Sequence, residues 1–346
     1  MDVEITQEKY EKIIVKCILK FVNPEGIFLY GGYGRNEGSW LIEKDKLPKP
    51  YNDFDILLVV NKQLNNDLIS EIKKHIKSCI SIRWIDLSQI RLNKLKKLKN
   101  SIFNYDLKNA SKVLYGNKKL QNLIPNLKPS EIPLKDIDIL FKTRLWTLVG
   151  CFEDNSFKNV YGSKSIFFRN QMAKAVLACV DCYLILNKKY NFSYKKRVEF
   201  FLNNSDDMEY FDLVNWALNE KLRPQECSMR SSDVKKMYSR VSKFFIKYFF
   251  IGLSKYYKCT IENEKDIERI YLYQPRNFIR RKLKNITSGS GDFNAFMTIL
   301  QFLCVIYLLD MNVKILNKIK FYSKKIGVNE KSFENIRTKI SNLRIS

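Results

Sequence analysis

The sequence predicts an α+β protein, a sheet-bearing first third followed by an all-α remainder, and three observations predict it. Two aliphatic runs, residues 27–30 and 53–60, have the length and the β-branched or aliphatic content of buried strands. A third strand-like stretch, 81–87, follows a polar segment of helical length at 61–79. From Leu134 onward, apolar residues recur at helical spacing in one segment after another.

Taken in order, residues 13–22 carry Lys16 and Lys20 among apolar residues in a helix-like pattern, and the opening ten residues are acidic and polar rather than signal-like. A cytoplasmic location is the expectation. The strand at 27–30 runs into Gly31-Gly32-Tyr33-Gly34-Arg35. Glycines there let backbone N–H groups approach a phosphate with no Cβ in the way, and Arg35 adds a fork-shaped cation. Residues 39–51, with Pro48 and Pro50, read as an exposed loop. In the next strand Asp53 and Asp55 flank Phe54. Side chains alternate with period 2, so a core-facing Phe54 puts both carboxylates on the other face, where they can hold Mg²⁺. Asp86 lies in the third strand. Residues 91–98 form a basic connection, 103–114 reads as a helix stopped by Tyr115-Gly116-Asn117, and Pro125, Pro129 and Pro133 mark 121–133 as a linker. Helical segments follow at 137–152, 167–186, 193–202, 234–253 and 293–319. The expected division is a catalytic domain at 1–120, the linker, and a helical domain at 134–346.

At 346 residues, with 45% apolar and 13% aromatic content, the chain has ample material for two cores and is not a disordered one. The apolar run 296–309 is shorter than the roughly 20 residues of a membrane-crossing helix, which favours a buried core helix. Eight cysteines are scattered; Cys179 and Cys182 have no second pair at zinc-site spacing, so reduced core thiols are expected. The single histidine, His75, sits among lysines as a surface residue. Any Ser-His-Asp triad would have to use it. Dinucleotide binding is excluded because Glu37 stands where a third glycine is needed and prolines break the segment that follows; no Gly-Lys-Ser/Thr supports a phosphate-loop NTPase.

The glycine loop, the Asp53/Asp55 pair and Asp86, in the order strand, loop, strand, helix, strand, resemble the nucleotidyltransferase superfamily of the DNA polymerase beta type, including its kanamycin nucleotidyltransferase-like and bacterial nucleotidyltransferase-domain members. The likeness covers about the first third of the chain. From Gly32 to Asp53 the spacing is wider than the family's usual one, which assigns 39–51 to an extra loop. The resemblance implies a mixed sheet with flanking helices, and a reaction that moves an NMP from an NTP, with ATP the expected donor, to an acceptor hydroxyl. Asp53, Asp55 and Asp86 would be catalytic and hold two Mg²⁺ ions, Gly31 and Gly32 would grip the β- and γ-phosphates, and Arg35 would assist. A lysine from the helical domain would reach the triphosphate. Lys174 is the candidate, because Asn170, Lys174 and Asp181 share one side of a mostly apolar helix. A structural Lys174–Asp181 ion pair stands beside that role.

The charge distribution leaves the acceptor open. Residues 1–116 carry 20 basic against 14 acidic side chains and residues 117–346 carry 41 against 22, so most of the +25 net charge lies in the helical remainder. Basic stretches such as Arg276, Arg280, Arg281 and Lys282, or 314–325, suit phosphates of tRNA or another RNA. A chain rich in Lys, Asn and Ile throughout reaches the same charge without a nucleic-acid ligand. A small molecule or a protein is the favoured acceptor, RNA the alternative, and an inactive NTP-binding sensor or scaffold the non-enzymatic reading.

Overall fold

The computed structural model describes residues 3–42, 47–80, 82, 84–273 and 290–343. Two compact units divide the chain: residues 1–133, 187–206 and 218–225 form the first, and 134–186, 207–217 and 226–346 the second. The first division between the units falls after Pro133. The return of two later segments to the first unit does not follow from the sequence pattern.

The first unit is built on a four-stranded mixed sheet. Helix α1 (Val3–Leu19) leads into strand β1 (Gly26–Tyr30) and a single helical turn, α2 (Gly31–Gly34). A two-stranded ribbon of β2 (Trp40–Leu41) and β3 (Lys49–Pro50) fills part of the expected loop. Strand β4 (Phe54–Val60), helix α3 (Asn66–Ile80) and strand β5 (Ile85–Arg91) form a parallel crossover unit. A short turn α4 (Leu92–Leu95), helix α5 (Ile102–Ala110) and strand β6 (Lys112–Gly116) follow. The sheet order is β5-β4-β1-β6, with β1 antiparallel to both its neighbours. One face buries Ile27, Leu29, Phe54, Ile56, Leu58, Ile85 and Leu87 against Ile14 and Ile18 of α1 and Ile72, Ile76 and Ile80 of α3. The residues of α3 recur every four positions, so a single stripe of a polar helix covers the sheet.

Two local expectations are corrected in this unit. The helix expected over 103–114 stops at Ala110, and Val113, Leu114 and Tyr115 enter the sheet beside β1, where β-branched and aromatic residues pack better than in a helix. Gly116 closes that strand at φ +89°, where a Cβ would stand 2.2 Å from the Glu25 carbonyl oxygen. The proline-rich stretch 121–133 is no free linker, because Ile124, Leu127 and Ile132 are buried.

The second unit is helical. Its main elements are Lys135–Val149, Gly162–Leu186, Ser231–Tyr257, Glu264–Leu272, Ser290–Asp310, Val313–Lys325 and Phe333–Asn342. Phe141, Phe245, Phe249 and Phe302 meet in its core with ring centroids 5.2–5.8 Å apart. The helix expected over 293–319 is two helices, interrupted where Met311 takes φ +51° and Asn312 accepts from the Lys314 N–H to start the next one. Phe293–Asp310 is the one stretch among the described residues long and apolar enough to cross a membrane. It packs as a core helix, with Met297, Leu300, Phe302 and Leu303 fully enclosed and Thr298 and Gln301 buried beside them. Its helical length exceeds the apolar run seen in the sequence because flanking polar residues continue the helix.

Candidate functional site

Strand register brings the aspartates together. Phe54 and Ile56 on β4, and Ile85 and Leu87 on β5, are buried in the core, so Asp55 and Asp86 point from the opposite face. They are register partners on adjacent parallel strands, and Tyr30 is the partner of Asp55 on β1. Asp53 precedes the strand by one residue and joins the same side. Asp86 is exposed, while Asp53 and Asp55 are half-buried.

The three carboxylates act on one another electrostatically. Burial, then the charges of Asp53 and Asp86, push the Asp55 carboxyl up from 3.8 to about 7, against an opposing pull from Lys221 and Arg35. The hydroxyl of Tyr30 is held well above its ordinary range by burial and by the same three carboxylates. A group flanked by like charges on one open face is what a hard divalent cation relieves. The oxygen donors therefore fit Mg²⁺. Among the described residues, however, only Cys17, His75 and Cys79 form a trio whose donor atoms all lie within 4.8 Å of one another, so the aspartates are spread more widely.

The glycine loop is shaped around Asp55. Gly31 has φ +66°, and a Cβ on it would fall 1.9 Å from Asp55 Oδ2, so glycine is required both by the backbone and by the neighbouring carboxylate. Gly34 approaches the Leu29 carbonyl so closely that a Cβ would lie 2.6 Å from its oxygen. Between them Tyr33 turns inward, stacks on Phe54 at 4.3 Å and donates to the Ser39 carbonyl at 2.7 Å. Gly32 accepts from the Glu37 N–H through its carbonyl at 2.9 Å.

Arg35 holds this loop in place. Its Nε donates to Gly31 O at 2.9 Å, Nη1 to Phe192 O at 2.6 Å, and Nη2 pairs with Asp106 at 3.1 Å. Tyr194 stacks under the guanidinium at 4.9 Å. The structure thus places Arg35 as a buried brace between the loop and the returning segment 187–206. Glu37 is a second brace. Its carboxylate accepts from Ser193 Oγ and Tyr194 N, each at 2.7 Å, and caps the helix Tyr194–Asn204 at its positive end.

Lys221, on the helix Phe211–Leu222, is the residue sequence reasoning missed. It is 6% exposed, its Nζ lies 3.3 Å from Ser39 Oγ, and it is one of the two cations that pull on Asp55. Ser39 also donates to the Lys221 carbonyl and accepts from Asn52 Nδ2 at 2.8 Å, which ties Lys221 to the residue before Asp53. Nothing in Asn219-Glu220-Lys221-Leu222 distinguishes it from a solvated helix end.

Lys174 is half-buried on Gly162–Leu186 in the second unit, on a helix whose Asn170 and Asp181 are buried. Arg276, Arg280, Arg281 and Lys282 fall outside the described residues. Within 314–325, Lys318 is engaged by Glu264 at 3.5 Å and Glu268 at 3.0 Å. A cavity of about 790 Å³ opens beside the glycine loop, lined by Glu37, Gly38, Lys195 and Arg223 among others, and none of the three aspartates lines it. No family model, curated protein or solved structure matches this chain.

Proposed function

We propose that the first unit is a metal-dependent nucleotidyltransferase, moving an NMP from an NTP to the hydroxyl of a small-molecule or protein acceptor with release of pyrophosphate. The observation that carries the reading is that Asp53, Asp55 and Asp86 share one sheet face beside Gly31, a position that admits no side chain. Bound at those carboxylates, Mg²⁺ would neutralise a triphosphate and acidify the attacking hydroxyl. Asp53 and Asp55 are the principal ligands in this reading, and Asp86, the most exposed of the three, would ligate and receive the acceptor's proton. Gly31 and Gly32 offer backbone N–H groups near the carboxylates, where phosphate oxygens would lie. Lys221 supplies positive charge on the same side, while Arg35 acts by fixing the loop.

The test is transfer of label from α-phosphate-labelled NTPs in Mg²⁺ to cell extract, sorted into metabolite, protein and RNA fractions. Wild-type protein is expected to label the metabolite or protein fraction, and Asp53→Asn to lower the rate by at least on the order of 10², the scale of losing one charge clamp. Equal labelling by the variant, or no label in any fraction, overturns the proposal. Label confined to RNA, falling steeply with salt, replaces the acceptor assignment with the nucleic-acid one.

A further inference from the structure

We infer that Cys17, His75 and Cys79 form a separate site for a thiophilic metal ion of the Zn²⁺ type, on the face of the first unit where α1 crosses α3. His75 and Cys79 are four residues apart on α3 and so share one side of the helix. Cys17 projects from α1, which packs on α3 through Ile14, Ile18, Ile72 and Ile76. All three donor atoms lie within 4.8 Å of one another, and Cys79 Sγ is 3.9 Å from His75 Nε2. In a tetrahedral site, metal–sulfur bonds of ~2.3 Å and metal–nitrogen bonds of ~2.0 Å put neighbouring donors roughly 3.5–3.8 Å apart. Donors held within 4.8 Å of one another stand within about an ångström of that spacing.

Burial is graded in the way a binding site needs. Cys17 is 3% exposed and fixed in the core, His75 is half-buried with Phe21 edge-on against its ring at 5.3 Å, and Cys79 is exposed and gives entry from solvent. An exposed cysteine facing a histidine is not explained by core packing. Two sulfurs and an imidazole are soft and borderline donors, which favour Zn²⁺ or Cu⁺ over the Mg²⁺ suited to the aspartates. Three protein ligands leave a fourth position for water or an outside group. A bound ion would staple α1 to α3, and thereby support the sheet that carries Asp55 and Asp86.

The experiment uses the full chain, kept reduced and stripped with chelator, titrated with Co²⁺ as a spectroscopic probe and then with Zn²⁺. One equivalent of Co²⁺ should give a thiolate charge-transfer band and the visible bands of a tetrahedral ion, both bleached by Zn²⁺. Cys79→Ser, at an exposed position, and His75→Ala should each weaken binding at least about tenfold. Asp53→Asn should leave the bands unchanged, so the result is independent of whether the chain transfers nucleotides. Absence of stoichiometric uptake, or uptake undiminished in both variants, overturns the inference. A Cys17–Cys79 disulfide in the oxidised chain, with no metal uptake after reduction, overturns it in favour of a redox pair.

Discussion

Replacing Asp55 by asparagine should make the metal-free protein more stable at neutral and alkaline pH, although it removes a proposed ligand. The Asp55 carboxyl is pushed from 3.8 to about 7 by burial and by Asp53 and Asp86. A folded-state value above the unfolded one means that the native protein holds the extra proton. Stability from this group is therefore fully present below about pH 4 and lost as pH rises through about 7, with a slope of roughly 1.4 kcal/mol per pH unit. Across the full shift the penalty for ionising Asp55 in the fold is about 4 kcal/mol. Partial exposure trims it to ~2–3 kcal/mol. Asp55→Asn carries no such charge, so in chelator at pH 8 it should exceed the wild type by that margin, and at pH 4 the advantage should vanish. Magnesium should close the gap, since the wild type gains from an ion at that position, by about 2.7 kcal/mol at a hundred times the dissociation constant. Native-state hydrogen exchange at the amides of β4 reads this in the first unit alone, where a whole-chain transition of two units need not be two-state. An asparagine variant no more stable than the wild type at pH 8 in chelator would refute the claim that like charges crowd Asp55.

Gly31→Ala should destabilise the fold by about 1–2 kcal/mol through its left-handed backbone alone, and should also displace Asp55, whose Oδ2 lies 1.9 Å from the added Cβ. Magnesium titration should show weakened binding, and wild-type affinity in this variant would contradict the proposed site. Lys221→Met removes one of the two cations that lower Asp55, so the Asp55 carboxyl resonance should titrate above about 7 in ¹³C NMR. An unchanged midpoint would remove Lys221 from the site.

The candidate site was legible in the sequence to the extent that it is made locally. Two glycines after an aliphatic strand, and two acids flanking one aromatic at the head of another, announce their geometry because strand periodicity fixes which side chains share a face. Asp86 was legible for the same reason, since a strand, helix and strand in succession bring their leading ends together. The pattern was weakest where periodicity is ambiguous. Residues 112–116 are too few to separate a helix end from an edge strand, and only pairing with β1 decides between them. The helix break at Met311 left no proline or glycine behind. The His75 and Cys79 spacing could be seen in α3, but Cys17 joins them only through the packing of α1 on α3, which no local signal encodes.

What the sequence hid most completely is the division between residues that face the site and residues that hold it. Arg35 follows the glycines closely enough to look like a phosphate ligand, yet its donors go to Gly31 O, Phe192 O and Asp106. Lys221, nearly two hundred residues downstream and unremarked in its own neighbourhood, bears on Asp55 instead. Both facts have one physical origin. A buried guanidinium is stable only when its planar fork is fully engaged, and carbonyls and a carboxylate at fixed positions engage it better than a mobile ligand does. A lysine ammonium, a compact charge on a flexible stem, can be buried beside Ser39 and still bear on a nearby carboxylate. The glycine loop therefore takes its shape from residues 187–206 and part of its charge from residues 218–225, and the first unit is complete only when both segments have returned to it. A fragment ending at Pro133 would keep all three aspartates and lose the groups that orient them.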